Sequence, residues 1–162
     1  SGGNGVNPFL IQHDEAGEAL RNRLYGDLPP KSHPLGYGRI DRLEVVFSSL
    51  AEGESYFRDG YGLERVGEQS VCPSRQGDRV FFPLSDGKLE VIAPNSADSP
   101  LQDFVAQRGY GLRGVVLTVP DPDAAAAELE ARGIRFTRSP VSGSVQIDPA
   151  DASGARLILI KG

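Results

Sequence analysis

Several residue types that often carry protein chemistry are scarce or missing in this 162-residue chain. Methionine and tryptophan are absent, cysteine occurs once and histidine twice. The single cysteine, Cys72, excludes an internal disulfide, and its neighbouring sequence lacks the cation-rich pattern that would activate a thiol. Both histidines, His13 and His33, lie in the first 38 residues, and the polar groups at 13–15 follow one another too closely to form a tetrahedral metal cage alone.

Long apolar runs and positive charge are also lacking. No stretch approaches 18 consecutive apolar residues, and no segment has the basic start and apolar core of a signal peptide. The net charge of −5 disfavours a nucleic acid or an anionic membrane as partner. We therefore expect a small-molecule ligand and, by default, a cytoplasmic location. The missing initiator methionine predicts an N-terminus made by cleavage of a tag, a precursor or a longer protein, with residues 1–5 as a candidate scar or linker.

An internal repeat indicates the architecture. Residues 40–47 and 112–119 are strand-like runs rich in β-branched residues, 72 positions apart, and each precedes a helical segment. The first helix is predicted from an S-x-x-E capping box at Ser49, and the second from an Asp121 N-cap followed by proline.

Each half then continues with three more predicted strands. One opens near Leu63 or Ile134, and the others cover residues 79–84 and 88–94 in the first half and residues 144–147 and 156–161 in the second. An amphipathic helix over about 99–108 connects the halves. The chain therefore reads as an α+β domain over residues 39–162, with βαβββ modules at about 39–94 and 111–161. Residues 1–38 read as an extension or linker, with an edge strand near 8–12 and a helix over 15–24.

The segments "IDRLEVVFSSLAEGESYFRDGYGLE" and "SPLQDFVAQRGYGLRGVVLTVPDPDAAAAELEARGIRF" resemble the vicinal oxygen chelate superfamily of glyoxalase, bleomycin-resistance and extradiol dioxygenase proteins. Within that superfamily, the two segments are most similar in sequence to the methylmalonyl-CoA epimerase branch. The resemblance covers about residues 39–161 and implies a curved mixed sheet around a cleft. It also implies that such domains often pair as homodimers. The leading "NPFLIQ" resembles a piece that joins two successive domains in larger glyoxalase-like proteins.

In metal-dependent members, ligands stand on the first and last strand of each module. By this resemblance the four positions fall on Arg42, Glu90, Gly114 and Leu159. Arginine stays protonated, glycine and leucine offer no donor, and one carboxylate does not hold a divalent ion against water. We therefore expect no metal and no cofactor.

Strand alternation extends this set of candidate residues. The resemblance then implies a cleft with one charged wall and one apolar wall, lined by Arg42, Glu44, Val46, Glu90, Ile92, Gly114, Val116, Thr118 and Leu159. Arg113 is adjacent to Gly114, so strand alternation predicts that its side chain faces away from the cleft. Such a cleft suits an organic ligand with an anionic or carbonyl oxygen and an apolar part.

Three functions remain open at this point. The leading hypothesis is metal-independent binding of a small molecule, of the resistance, sequestration or ligand-sensing kind. The second is a metal-independent isomerase, epimerase or cyclase in which Glu90 is the base and Arg42 stabilises an oxyanion. A salt bridge between these two residues would make Glu90 a poorer base. The third is a non-catalytic C-terminal module of a larger glyoxalase-like protein.

Overall fold

The computed structural model describes residues 33–84 and 87–162, together with Gly17, Ala19, Leu20 and Arg23. These four isolated residues are helical, within the segment where a helix is predicted. The predicted edge strand near 8–12 and His13 lie outside the described residues. Among those that are described, no helix is long and apolar enough to span a membrane.

The described residues form eight strands and three α-helices, in an order that repeats once. The first half contains β1 (Ile40–Val46), α1 (Leu50–Tyr61), β2 (Val66–Cys72), β3 (Gly77–Leu84) and β4 (Gly87–Pro94). After helix α2 (Gln102–Arg108), the second half contains β5 (Gly111–Val119), α3 (Pro122–Ala131), β6 (Phe136–Arg138), β7 (Val145–Ile147) and β8 (Leu157–Lys161). The predicted α+β fold with two βαβββ modules is confirmed.

All eight strands join in one mixed sheet with the order β2-β3-β4-β1-β5-β8-β7-β6. The first strands of the two modules, β1 and β5, pair antiparallel at the centre. Each of them also pairs in parallel with the last strand of its own module, β4 or β8. The four strands on which the candidate residues lie are therefore adjacent in the middle of the sheet.

The two module helices begin at the predicted caps. The Ser49 hydroxyl accepts a hydrogen bond from the backbone N–H of Glu52 at 3.2 Å, and the Asp121 carboxylate accepts one from the N–H of Asp123 at 2.8 Å. The Glu52 carboxylate itself accepts from the hydroxyl of Ser48. The bonds accepted by Ser49 and Asp121 satisfy backbone N–H groups that the first helical turn leaves unpaired.

One face of the sheet is buried beneath the helices in two apolar clusters. The cluster under α1 includes Phe47, Phe57, Phe82 and Val91, and the cluster under α3 includes Val119, Ala126, Leu129 and Leu159. Leu63 and Ile134 pack against these clusters, and the strands that they were predicted to open begin at Val66 and Phe136. Because side chains alternate along a strand, the residues between the core positions point to the opposite face.

Candidate functional site

The sheet face opposite α1 and α3 carries a cleft of about 640 Å³. Six arginines line it: Arg42, Arg75, Arg79, Arg113, Arg138 and Arg156. A second wall is formed by the apolar Ile158 and Ile160 of β8 and by polar side chains from the β6–β7 region. These polar residues are Thr137, Ser139, Ser142, Ser144 and Gln146. This second wall is therefore more polar than the apolar wall that the sequence predicts.

Two glutamates lie beneath the arginines with no solvent-exposed surface. Glu44 on β1 and Glu90 on β4 are register partners in the parallel pair. Glu90 Oε2 accepts a hydrogen bond from Arg42 Nε at 2.6 Å, and Glu90 Oε1 accepts one from Arg79 Nη1 at 3.0 Å. Arg42 also pairs with Asp41 through Nη1 and Oδ2, at 2.6 Å. Each of these two arginines thus has a carboxylate partner.

Glu44 connects the two modules. Its Oε1 accepts a hydrogen bond from Arg75 Nη2, and its Oε2 accepts one from Arg113 Nη1 at 3.2 Å. Arg156 Nε lies 4.0 Å from the same Oε2. Arg75 also lies near Glu90, with Nη1 3.9 Å from Oε2. The Glu44 carboxylate therefore lies within ion-pair distance of three arginines, which come from both halves of the sheet.

The surrounding arginines favour the charged form of Glu90. Burial alone would raise the pKa of Glu90, but the charges of Arg42 and Arg75 and the hydrogen bonds from Arg79 and Arg42 outweigh it, so the pKa is lowered. Burial and the nearby Arg113 and Arg75 lower the pKa of Arg156 to about 10. Arg156 therefore stays protonated at neutral pH, with its charge only partly compensated.

Irregular backbone segments bring two of the arginines, Arg75 and Arg156, to the cleft. Arg75 ends a 3₁₀ turn over Pro73–Arg75, and the turn closes at Gln76 in the left-handed region (φ 45°). Arg156 precedes β8, and its carbonyl oxygen accepts a hydrogen bond from the N–H of Val115 at 3.0 Å. Neither residue belongs to a regular strand, so the alternation of side chains along a strand does not predict which way these two side chains point.

The prediction that Arg113 faces away is wrong, because β5 has a bulge at this residue. Glu44 pairs with Gly114 and Val45 with Leu112, which leaves Arg113 as the extra residue on β5. A bulge of this kind changes the direction of the side chain and bends the strand. Arg113 consequently reaches Glu44 on the cleft side.

The structure brings together only part of the predicted set. Arg42 lines the cleft, and Glu44 and Glu90 lie under it. Val46 and Ile92 share that face but are fully buried, in a cluster with Leu101 against which α2 packs. Neither of them lines the cleft.

The second-module candidates differ more from expectation. Val116 is fully buried, and the Thr118 hydroxyl lies 3.2 Å from the backbone N–H of Arg39, which donates to it. The prediction that Leu159 lines the cleft is wrong. It pairs in register with Leu117 and lies in the cluster under α3, so Ile158 and Ile160 face the cleft instead.

Three aromatic residues near the site differ in where they lie. Tyr110 stacks on Phe47 with ring centroids 5.0 Å apart and planes inclined by 6°, so it is a packing contact of the α1 cluster. Phe82 is buried in the same cluster, whereas Phe81 lies beneath the cations of Arg79 and Lys88 at 5.3 and 5.8 Å. Of the two adjacent phenylalanines, one is core and the other is on the opposite face.

A family model described as the glyoxalase/bleomycin resistance protein/dioxygenase superfamily matches residues 41–148. The chain belongs to this superfamily. Mitochondrial methylmalonyl-CoA epimerase of Mus musculus is 29% identical over 99 residues, which are 60% of this chain and 55% of that protein. The chain thus spans about half the length of the curated relatives it matches.

Solved structures confirm the superfamily fold. A hypothetical protein from Bacillus halodurans superposes with a TM-score of 0.70 at 20% identity, over 76% of this chain and 94% of that one. A methylmalonyl-CoA epimerase from Mycobacterium tuberculosis gives a TM-score of 0.68 at 20% identity, over 80% and 91%.

The metal of metal-dependent superfamily members does not fit these residues. At the Gly114 position, an added Cβ would lie 3.1 Å from the carbonyl oxygen of Arg156 and 3.3 Å from Glu44 Oε2. The room for a ligand side chain is therefore filled. Arg42 cannot ligate, and no cluster of three or more His, Cys, Asp or Glu residues suited to a metal occurs among residues 33–84 and 87–162 or the four described before them.

Proposed function

We propose that the cleft binds an anionic small organic molecule without a metal, in the manner of a resistance, sequestration or ligand-sensing protein. The observation that carries this proposal is the concentration of six arginines around one cleft in a chain whose net charge is −5. Arginine is the usual partner of carboxylate and phosphate because its planar guanidinium matches their geometry. A local positive field inside an acidic protein favours entry of an anion.

The lining also supports an organic ligand rather than a bare ion. Ile158 and Ile160 offer apolar surface beside the arginines, and the serine and threonine hydroxyls offer neutral hydrogen-bonding groups. A volume of about 640 Å³ lies within the usual range for small-molecule sites, roughly 300 to 1,000 Å³. The anionic end of the ligand would contact the arginines, and its remainder would lie along β6 to β8.

Binding can be tested by thermal shift and calorimetry with aromatic acids, acyl thioesters and polycyclic antibiotics, each with and without a chelator. We expect binding of anionic members that survives the chelator and weakens in an Arg113→Gln variant. Arg132→Gln is the matched control, because Arg132 is the C-cap residue of α3 and forms an exposed pair with Glu128, away from the cleft lining. Loss of binding with chelator, or equal binding of neutral analogues, would overturn the proposal.

A second candidate is a metal-independent isomerase, epimerase or cyclase using Glu90 and Arg42. Its support is the similarity to methylmalonyl-CoA epimerases. Against it, Glu90 is fully buried and its pKa is lowered, which makes it a weak base. Proton exchange at an acidic C–H of methylmalonyl-CoA, followed by NMR in D₂O, distinguishes the two functions. Exchange that Glu90→Gln abolishes supports the enzyme, and exchange that survives excludes this base.

The remaining expectations stay predictions. The chain is expected to form a homodimer and to be cytoplasmic, and mass measurement in solution tests the first. Whether it is a non-catalytic C-terminal module of a larger glyoxalase-like protein is decided by the coding sequence upstream of Ser1.

A further inference from the structure

Carboxylates compensate the positive charge of the cleft more fully at one end than at the other, and the less compensated end is where an anion would bind. At the Glu90 end, Arg42 and Arg79 are matched by two carboxylates, those of Glu90 and Asp41. At the Glu44 end, Glu44 is the closest acid to three arginines: Arg75, Arg113 and Arg156. Among the residues that the structure describes, Arg113 and Arg156 have no other carboxylate within ion-pair distance. Two positive charges at this end are therefore uncompensated.

Hydrogen bonding indicates the same end of the cleft. Arg75 Nη1 and Arg156 Nε are buried and donate no hydrogen bond to any described residue. Buried polar groups are nearly always paired, so these two donors are available to a bound anion. The lowered pKa of Arg113, caused by burial and by the charge of Arg75, agrees with cations crowded together.

The uncompensated charges are also close together. The guanidinium groups of Arg75, Arg113 and Arg156 all lie within 4.0 Å of the Glu44 carboxylate. A compact group with two negative charges matches such a cluster better than two carboxylates separated by a carbon chain. A phosphate ester offers that charge on one group and accepts bidentate hydrogen bonds from arginine.

We propose that the Arg75, Arg113 and Arg156 end of the cleft binds the dianionic head of a phosphate monoester, whose hydroxylated remainder contacts the serine-rich wall. This wall contains Thr137, Ser139, Ser142, Ser144 and Gln146. The Ser142 and Ser144 hydroxyls are 2.9 Å apart and retain capacity for a further partner. This inference rests on the proposed function and names the ligand class.

Calorimetric titration of the full chain in low-salt, phosphate-free buffer at pH 7.5 tests the inference. Glycerol 3-phosphate should bind at least about tenfold more tightly than glycerate, which carries similar hydroxyls but one negative charge, since a hydrogen bond to a charged group is worth about that factor. Succinate, with two separated charges, should bind like glycerate. Inorganic phosphate should bind more weakly than glycerol 3-phosphate, because it lacks contacts to the serine-rich wall.

Acidification supplies a control on the ligand's charge. The second ionisation of a phosphate monoester has a pKa of about 6, so glycerol 3-phosphate should lose affinity at pH 5. Inorganic sulfate, a dianion at both pH values, should not. Arg156→Gln should lower the affinity for glycerol 3-phosphate by about tenfold, whereas Arg132→Gln should leave it unchanged.

The outcomes separate this inference from the proposed function. Equal affinity for glycerate and glycerol 3-phosphate, or an unchanged affinity in a folded Arg156→Gln variant, would overturn the dianion site while leaving anion binding intact. Absence of binding by every anion tested would overturn both. The wild-type comparisons decide the question even if Arg156→Gln does not fold.

Discussion

Replacing Glu44 with glutamine tests how the buried ion cluster contributes to stability. Glutamine keeps the shape of the side chain and removes the charge that faces three arginines. Two charges 4 Å apart interact by about 4 kcal/mol at an effective dielectric constant near 20, and Arg113 and Arg156 lie 3.2 and 4.0 Å from Glu44. Desolvation offsets most of this attraction in the intact cluster.

The variant loses the attraction while the arginines stay buried. Breaking a buried ion pair by removing one partner typically costs about 3 to 5 kcal/mol, and we expect that loss in the free energy of unfolding. For a chain of this size it corresponds to a fall in melting temperature of about 6 to 20 °C. Urea unfolding followed by far-ultraviolet circular dichroism, at low ionic strength and without phosphate, measures it.

Glu128→Gln is the matched control because Glu128 forms an exposed i,i+4 pair with Arg132 on α3. Its expected cost is about 0.3 to 0.5 kcal/mol. Inorganic sulfate should stabilise Glu44→Gln more than the wild type, because the variant leaves three arginines without their shared acid. A Glu44→Gln loss as small as that of the control would refute the view that this carboxylate balances the arginine cluster.

Three further predictions concern other parts of the chain. Gly53→Ala should destabilise by about 1 to 3 kcal/mol in urea unfolding despite the higher helix propensity of alanine, because the added Cβ would lie 2.4 Å from Val91 Cγ1; equal or higher stability would contradict the close packing of α1. Asp121→Ala should cost about 1 kcal/mol by the same assay, since it removes the bond to the Asp123 N–H, and no change would contradict the cap. The lowered pKa of Glu90 stabilises the fold above the unfolded-state pKa of about 4.3, and this stabilisation is lost as the pH falls through the folded-state pKa. The free energy of unfolding of a Glu90→Gln variant should therefore fall less steeply than that of the wild type between pH 6 and 3. An identical slope would contradict the lowered pKa.

Strand alternation and the internal repeat were enough to predict the sheet and part of the site. The family resemblance placed Arg42 and Glu90 in the site and alternation added Glu44, and the three lie together because β1 and β4 are regular and in register. The position of Arg79 could also have been inferred. The register that pairs Leu84 with Gly87 also pairs Phe81 with Glu90, so Arg79, two residues before Phe81, shares that face.

The rest of the arginine cluster has no such signal in the sequence. Arg113 depends on a bulge, and Arg75 and Arg156 lie on irregular backbone. Leu159 was misplaced because the run at 157–160 is apolar on both faces, so hydrophobicity does not show which residues face the helix. The predicted residues belong to regular strands, whereas Arg75 and Arg156 lie between strands and Arg113 lies at a bulge within β5.

The arginine cluster also affects which function the cleft can perform. Like a metal, the arginines supply positive charge, and that charge is fixed across the physiological pH range. The same charges surround Glu90, lower its pKa and cover it from solvent. A metal leaves a neighbouring base free when other residues serve as its ligands, whereas here the acids are the partners of the arginines. The arginine cluster therefore favours holding an anion over removing a proton from it, and a ligand that displaced Arg42 from Glu90 would be needed to reverse that preference.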